Sequence, residues 1–326
     1  MLLPKQLQKI CIFRALQLGD ILCSIPALRN LRLTYPEAEI SFIGLSSGQA
    51  LIERFPKIID CFITFPGYPG LPEQEFDQQK FDEFSKAMKA ENFDLIIQMQ
   101  GNGTIVNDML QHLQPKLLAG FSIDARERQE NELLMDYPNH DHESLRHIKL
   151  MDFLGIQIDD ARMEFPLTPD DETEFKKLNF NLTDQYICVH GGSRGKWRQW
   201  PPLHFATIAD FCASKGFRIV LTGTESEMDV VNEIAGLMRS EPIIAAGKTD
   251  LGSLGILLQH SKGLIANCTG ISHISAGLKV PSVIISMDGE PERWGPLNRS
   301  LHTTIDWTKT PDYHLVTQAV SEMLLR

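Results

Sequence analysis

The sequence predicts an α/β fold with two doubly wound, Rossmann-like domains that face a cleft. Short apolar runs of strand length alternate with helical segments, and the alternation begins again after the Pro-containing segment Phe165–Asp170, which is typical of a linker. With 326 residues, the chain is also long for a single hydrophobic core. We therefore predict an N-terminal domain of residues 1–165 and a C-terminal domain of residues 166–326, with a last helix that could pack back on the first domain.

The elements of the first half follow from the spacing of its apolar residues. Five apolar runs predict buried strands, at Ile10–Phe13, Ile40–Gly44, Cys61–Phe65, Phe93–Met99 and Lys116–Phe121. Helical patterns follow the first strand as far as about Arg32 and recur over Gln79–Glu91 and His142–Leu154. The polar segment Ser122–Asp141 has no regular period, so we predict that it is irregular.

The second half repeats the alternation of strand and helix. Its predicted strands are Tyr186–His190, Arg218–Thr222, Ile243–Ala246, Gly263–Ala266 and Val283–Ser286. The predicted helices are Leu203–Lys215, Glu225–Arg239, Leu251–His260, Ile271–Leu278 and Pro311–Leu325. Because parallel strands place their carboxyl ends at one edge of a sheet, ligand-binding residues are expected in the loops that follow the strands.

Composition and charge exclude several classes of protein. The net charge of −11 disfavours a protein that acts mainly on nucleic acid. The six cysteines are scattered and form no Cys-x-x-Cys pair, which is typical of reduced, buried thiols in a cytosolic protein. The N-terminal residues MLLPKQLQK lack the apolar core of a signal peptide, and no apolar run approaches the ~18 residues of a membrane span. We therefore predict a cytoplasmic protein.

The stretch Gly263–Pro296 carries the strongest indication of a ligand site. A predicted strand ends in the polar turn Asn267–Gly270, and a helix begins directly after it. The N-terminus of such a helix offers unpaired N–H groups to a phosphate. Thr269 adds a hydroxyl, Gly270 permits close approach of the backbone, and His273 lies within the first turn. The alternative is an ordinary strand–helix unit whose turn only caps the helix.

Two further loops of the second half suit a nucleotide. The loop after Tyr186–His190 combines glycines with positive charges from Arg194, Lys196 and Arg198, which could bind an anion or could form a solvated basic loop. In the loop after Arg218–Thr222, Glu227 could accept hydrogen bonds from ribose hydroxyls, or could be a favourable acid in the first turn of a helix.

In the first half, Gly19 and Asp20 follow the first strand, where α/β folds place ligands. The Asp20 carboxylate could act as a general base toward a hydroxyl, or could simply be the N-cap of the following helix. Gly19 is the only glycine there, so no Gly-x-Gly-x-x-Gly fingerprint of a dehydrogenase is present. The glycine spacing of Gly191–Trp197 is one residue too short for a P-loop.

Together these motifs resemble glycosyltransferase family 9, the lipopolysaccharide heptosyltransferases and their relatives, over nearly the whole chain. The matching segments are Arg14…Leu18-Gly19-Asp20…Pro26, His190-x-Gly with Arg198-Gln-Trp200-Pro201, Gly223-x-x-x-Glu227, and Thr269-Gly270-x-x-His273 with Arg293-Trp294-Gly295-Pro296. The resemblance implies the two-domain GT-B architecture, with an N-terminal acceptor domain and a C-terminal nucleotide-sugar domain. It also implies that Asp20 is the general base.

The resemblance implies an inverting, metal-independent glycosyltransferase that moves a sugar from a nucleotide-diphospho-sugar, such as ADP-heptose, to a lipopolysaccharide-type acceptor. The implied partners are this donor and a lipid-linked or other glycan acceptor, with no nucleic acid and no cofactor. A lipid-linked acceptor would bring the protein into peripheral contact with the inner face of the inner membrane. The expected site residues are Asp20 for catalysis, then Gly19, Ser193, Arg198, Glu227, Thr269, Gly270 and His273 for the nucleotide sugar, and Lys196, Cys268 and Ile271 as further contacts to phosphate or sugar.

The chain departs from the family pattern at three positions. Arg198 stands where the family usually carries Lys, and Leu16 where heptosyltransferases often carry Ser or Gly. Cys268 replaces the Asp that the family normally has before Thr-Gly, which is associated with hydroxyl contacts to the donor sugar or acceptor. A thiol is a poor substitute acceptor. Leu16 and Cys268 motivate the alternative function, a divergent member that binds a nucleotide or glycan without transferring sugar.

Overall fold

The structure, a computed structural model, describes residues 3–123, 128–180, 182 and 185–326. The chain divides into two compact units, residues 1–162 and residues 163–326. Each unit is built on its own six-stranded sheet, in which every strand pair is parallel. The predicted α/β class with two doubly wound halves is confirmed.

The first unit has the strand order β3-β2-β1-β4-β5-β6. Its strands are β1 (Lys9–Phe13), β2 (Glu39–Gly44), β3 (Cys61–Thr64), β4 (Leu95–Gln98), β5 (Leu118–Ser122) and β6 (Glu132–Asp136). Its helices are α1 (Leu18–Thr34), α2 (Gln49–Ile52), α3 (Gln78–Glu91), α4 (Val106–Gln111) and α5 (Glu143–Phe153). Helix α5 packs on α1, which brings the start of α5 close to the end of β1.

The second unit has the strand order β12-β11-β10-β7-β8-β9. Its strands are β7 (Tyr186–His190), β8 (Arg218–Leu221), β9 (Ile243–Ile244), β10 (Gly263–Asn267), β11 (Ser282–Ser286) and β12 (His302–Asp306). Its helices are α6 (Pro169–Lys177), α7 (Pro202–Ser214), α8 (Met228–Leu237), α9 (Leu251–Gln259), α10 (Gly270–Leu278), α11 (Pro291–Trp294) and α12 (Tyr313–Leu325). In the described part of the chain, no helix combines the length and the apolar character needed to cross a membrane.

The central strands are apolar along their length because both faces of a parallel sheet are covered. Every residue of β7, β10 and β11 is buried. Helices α10 and α12 both contact β10. A Cβ atom on Gly263 would lie 2.6 Å from Met323 Sδ, so the glycine at the start of β10 permits the close approach of α12.

Helix α12 packs on the sheet of its own unit, and its expected packing on the first domain stays a prediction. Its buried residues are spaced at i, i+3, i+4 and i+7, which gives one apolar face: Val316, Ala319, Val320 and Met323. This face belongs to the hydrophobic core of the second unit, where α12 contacts β10, β11 and β12. The last helix therefore completes its own unit.

Several elements were not predicted from the sequence, including the short helices α2 and α11. Strand β6 lies within Ser122–Asp141, which we predicted to be irregular, and residues 124–127 of that segment lie outside the described residues. Helix α6 begins inside the predicted linker, where Thr168 and Asp171 form a capping box around Pro169. Edge strand β12 pairs with β11 in the stretch between two predicted elements. Short edge strands depend on their neighbours more than on local pattern.

The six cysteines, which all lie among the described residues, form no disulfide bonds. Five of them are buried, as predicted, but Cys61 at the start of β3 is exposed. The prediction of buried thiols is therefore wrong at Cys61.

Candidate active site

Each sheet has a switch point at which the strand order reverses, between β1 and β4 in the first unit and between β7 and β10 in the second. In doubly wound folds, ligands bind beyond the carboxyl ends of the strands at such a point. Asp20 follows β1, whereas the other predicted site residues apart from Gly19 follow strands of the second sheet. The predicted residues therefore form one group in each unit.

In the first unit, Asp20 lies in the first turn of α1. The N-cap of α1 is Gln17, so the alternative in which Asp20 is simply the N-cap is wrong. A carboxylate in the first turn interacts favourably with the helix dipole. The side chain keeps 23% of its surface exposed.

Arg14, whose side chain is fully buried, connects Asp20 to the rest of the first unit. Its Nε donates to the backbone oxygen of Asp20 at 2.7 Å, and its Nη2 lies 3.7 Å from Asp20 Oδ1. The guanidinium also donates to the backbone oxygen of Met99, just after β4, and to Glu143 Oε1 at 3.1 Å. Arg14 therefore fixes the first turn of α1 against the end of β4 and the start of α5.

Glu143 is the buried counter-charge of this cluster. It also pairs with Arg146, and its Oε1 lies 3.6 Å from His147 Nε2. Burial raises the pKa of Glu143, but the nearby His147 and the charges of Arg14 and Arg146 outweigh burial and hold that pKa far below its usual range. Burial and the charge of Arg14 lower the pKa of His147 to about 4, so this histidine is neutral at pH 7.

In the second unit, the candidate residues follow four adjacent strands, β8, β7, β10 and β11. Gly191–Gly195 and a short 3-10 helix, Lys196–Arg198, follow β7. Glu227 follows β8, and the turn to α10 follows β10. Asn267, the last residue of β10, accepts from Trp200 N at 2.9 Å and donates to Gly191 O at 2.8 Å. The side chain of Asn267 thus ties the loop after β7 to the end of β10.

Arg198 forms an ion pair that we did not predict. Its Nη2 donates to Asp288 Oδ2, and its guanidinium carbon lies 5.6 Å from the ring centre of Trp197. Asp288 Oδ1 accepts from Ser286 Oγ at 2.7 Å and from Glu290 N at 3.1 Å. The cation that we predicted to bind the nucleotide sugar is therefore held by a carboxylate from the neighbouring strand end.

Three of the predicted residues carry buried polar atoms with no hydrogen-bond partner among the described residues. These atoms are Ser193 Oγ, Arg198 Nε and Thr269 Oγ1. Thr269 is the N-cap of α10, yet its side chain makes no capping bond. A buried polar atom without a partner costs about 1–3 kcal/mol. Such atoms, together with the N–H groups at the start of α10, are suited to a polyanionic ligand.

Glu227 has a structural role as well as the predicted one. Its Oε2 accepts from Thr224 N at 2.7 Å and from Thr224 Oγ1 at 3.0 Å, as part of a capping box. The same oxygen lies 3.9 Å from His190 Nε2, and burial lowers the pKa of His190 although the charge of Glu227 opposes this. The alternative of a helix-terminal acid thus accounts for one oxygen of Glu227. The ribose contact stays a prediction.

The remaining predicted residues lie around these groups. Ile271 and His273 are buried in α10, and the His273 ring lies 6.5 Å from that of Trp294. Lys196 is exposed. Within residues 3–123, 128–180, 182 and 185–326, no group of three or more His, Cys, Asp or Glu side chains could hold a metal ion.

Comparison with known proteins identifies the family. The sequence model of Glycosyltransferase family 9 (heptosyltransferase) matches residues 82–319, which is most of the chain. The chain belongs to glycosyltransferase family 9. Within this family, it is 30% identical over 318 residues to lipopolysaccharide heptosyltransferase 2 from Salmonella typhimurium strain LT2, covering 89% of this chain and 86% of the relative. The protein is therefore a glycosyltransferase, as the motifs predicted.

Solved structures of family 9 have the same fold. The glycosyl transferase family 9 protein from Veillonella parvula DSM 2008 gives a TM-score of 0.82 at 18% identity, covering 99% of both chains. The ADP-heptose lps heptosyltransferase II from E. coli gives a TM-score of 0.77 at 17% identity, covering 98% of both chains. The predicted GT-B type of α/β fold is confirmed.

Three residues of the site were missed or underestimated from sequence: Glu143, Asn267 and Asp288. Asn267 and Asp288 lie at or just beyond the ends of adjacent strands, so the rule that locates ligands at this edge would have included them. Glu143 carries no such signal, because its partner Arg14 is 129 positions away in the chain.

Proposed function

We propose that this family 9 glycosyltransferase is an inverting enzyme that moves a sugar from an ADP-linked donor, such as ADP-heptose, to a hydroxyl of a lipopolysaccharide-type glycan. The main support is the group of unpartnered buried atoms on Ser193, Arg198 and Thr269 beside the N-terminus of α10. A diphosphate would supply hydrogen-bond acceptors for these donors. The choice of adenine follows the E. coli relative, whose name includes ADP-heptose.

In this proposal, different residues bind the diphosphate and the ribose of the donor. The N–H groups at Thr269–Ile271 and the guanidinium of Arg198 hold the diphosphate, and the free oxygen of Glu227 accepts from the ribose. Preorganised donors of this kind stabilise charge that develops on the leaving group, and removing one donor typically costs about 10²–10³ in rate. In this proposal they take the place of a metal ion, so turnover is expected to persist in excess EDTA.

On the acceptor side, the proposed base is Asp20. The acceptor oxygen forms a bond to the anomeric carbon from the face opposite the diphosphate, the bond to the diphosphate oxygen breaks, and the acceptor proton moves to the Asp20 carboxylate. Attack from the opposite face inverts the anomeric configuration. Arg14 keeps Asp20 in position through the contacts to its backbone oxygen and carboxylate.

The acceptor class rests on the Salmonella relative, which is named a lipopolysaccharide heptosyltransferase. We propose a glycan of the same type, presented on a lipid. The location of the protein in the cytoplasm, in peripheral contact with the inner face of the inner membrane, stays a prediction. Binding to acceptor-loaded vesicles, compared with vesicles that lack the acceptor, would test it.

The first test is the melting temperature in the presence of ADP, UDP, GDP or CDP, each with and without magnesium. A ligand at 100 times its dissociation constant stabilises a protein by about 2.7 kcal/mol. At about 2–4 °C per kcal/mol this shift is readily measured. We expect a magnesium-independent shift with ADP that exceeds those with the other nucleotides. A larger shift with another base would contradict the ADP-linked donor, and no shift at all would favour the non-transferring alternative.

Substitution of Gly192 by alanine should weaken nucleotide binding specifically. A Cβ atom there would lie 2.2 Å from Glu227 Oε1, so the carboxylate must move away from its present place. The loss of one hydrogen bond to a charged group, at about 1.5–3 kcal/mol, should raise the Kd for ADP by about tenfold or more. Isothermal titration calorimetry provides the measurement.

The matched control is Gly236→Ala in α8, where a Cβ atom would meet no other group within 4 Å. Alanine is favoured over glycine in a helix by about 1 kcal/mol, so this variant should bind ADP like the wild type and melt no lower. Equal ADP affinity in both variants would show that Glu227 does not contact the nucleotide.

A further inference from the structure

Cys268, the residue before Thr269-Gly270, lies at the same end of the second sheet as Asp288. Strands β10 and β11 are paired in parallel, with Asn267 opposite Ile285, and Cys268 N donates to Ile285 O at 2.9 Å. Asp288 lies just beyond the end of β11. Position 268 and Asp288 therefore occupy the same edge of the sheet on adjacent strands.

Asp288 is held firmly in this place. Its side chain is only 6% exposed and receives three hydrogen bonds, from Ser286 Oγ, Glu290 N and Arg198 Nη2. The first two donors fix Oδ1, and the guanidinium lies on Oδ2. Because Arg198 Nε has no partner among the described residues, Asp288 orients a cation that still has a donor for a ligand.

Cys268 is the uncharged partner in this arrangement. Its side chain is buried, and burial first and the charge of Asp288 second raise the pKa of the thiol to about 12. The thiol is therefore neutral at pH 7. A carboxylate at position 268 would place a second negative charge near Asp288 and Arg198, and two carboxylates that share one site cannot both ionise easily.

We propose that Asp288 supplies, from the neighbouring strand end, the carboxylate that family members carry immediately before Thr-Gly, and that Cys268 is the neutral residue that makes room for it. Asp288 acts as a positioning residue for Arg198 and as the acceptor for a hydroxyl of the donor sugar. The role of Asp288 toward the donor sugar rests on the proposed function. The arrangement of Asp288, Arg198 and the neutral Cys268 does not depend on that function.

The test is a double-mutant cycle on Cys268→Asp and Asp288→Asn. In the wild-type background, Cys268→Asp should lower the melting temperature by several degrees, because it buries a like charge beside Asp288. In the Asp288→Asn background, Cys268→Asp should lower the melting temperature by less than half as much, because a single carboxylate again faces Arg198. Cys268→Ser is the matched control for loss of the thiol alone. Additive changes in melting temperature would overturn the proposal whatever the donor is.

The catalytic arm measures kcat/KM for transfer from ADP-heptose and for its slow hydrolysis. Each single substitution should lower kcat/KM by at least tenfold, whereas the double variant should recover at least tenfold over Asp288→Asn. If the wild type is active and the double variant shows no such recovery of kcat/KM, the proposed role of Asp288 is overturned. A wild type that neither binds ADP nor uses ADP-heptose would instead contradict the proposed function, and the melting cycle would still decide the charge relocation.

Discussion

Replacement of Asp20 by asparagine is expected to lower kcat by about 10²–10⁴-fold, while the Kd for ADP stays that of the wild type. The amide has almost the same shape as the carboxylate but cannot accept the proton of the attacking hydroxyl. Asp20 lies in the first unit, and the residues proposed to bind the nucleotide lie in the second. Loss of turnover with intact binding would therefore separate proton transfer from donor recognition.

The assay for Asp20→Asn combines steady-state transfer, donor hydrolysis and calorimetry with ADP. Asp152→Asn makes the same chemical change at an exposed position of α5 and should behave like the wild type. Near-normal turnover by Asp20→Asn would refute its assignment as the base. Slow donor hydrolysis by the wild type that disappears in Asp20→Asn would exclude the alternative of a member that binds without transferring sugar.

The second large effect is expected at Glu143. Glu143→Gln removes the charge that pairs with the buried Arg14 and Arg146 while it conserves volume. Breaking a buried ion pair by removal of one partner typically costs about 3–5 kcal/mol. At about 2–4 °C per kcal/mol, the melting temperature should fall by roughly 6–20 °C. Turnover should also fall at temperatures where the variant is folded, because Arg14 positions Asp20.

The pH dependence of stability provides a further readout for Glu143. Its folded-state pKa lies below the ordinary value of 4.5, so the unfolded state takes up the proton first as the pH falls. The stabilisation is therefore complete above pH 4.5 and is lost progressively below it. The difference in melting temperature between the wild type and Glu143→Gln should therefore become smaller at acidic pH. Thermal melts across a range of pH provide the measurement. Glu83→Gln, at an exposed position of α3, should stay within about 0.5 kcal/mol of the wild type.

The sequence predicted the central strands well because their signal is local. Buried parallel strands such as β1, β7 and β10 are short apolar runs between turn residues, and no competing pattern occurs there. The signal is weak at the sheet edges. Strand β6 begins and ends with an acidic residue, and the only aliphatic residue of β12 is Ile305, so their pairing depends on β5 and β11.

The site was predictable where a residue follows a strand and not where its role depends on a distant partner. Asp20 and Thr269 follow β1 and β10, so their place at the sheet edge was predictable, whereas their chemical roles stay predictions. The ion pairs of the site join residues far apart in the chain. Arg14 and Glu143 are separated by 129 positions, and Arg198 and Asp288 by 90. Local pattern carries no information about such pairs, which only folding brings together.

The proposed relation between Cys268 and Asp288 constrains the order in which this chain could have acquired its two residues. If Asp288 arose first, an ancestor with an acid at both positions had to tolerate mutual repulsion at one guanidinium. If the acid at 268 was lost first, Arg198 passed through a state without a counter-charge. On the proposed arrangement of charges, single substitutions back toward the common motif should therefore be poorly tolerated. Homologues with an uncharged residue before Thr-Gly should be searched for an acid just after the next strand before they are classed as inactive.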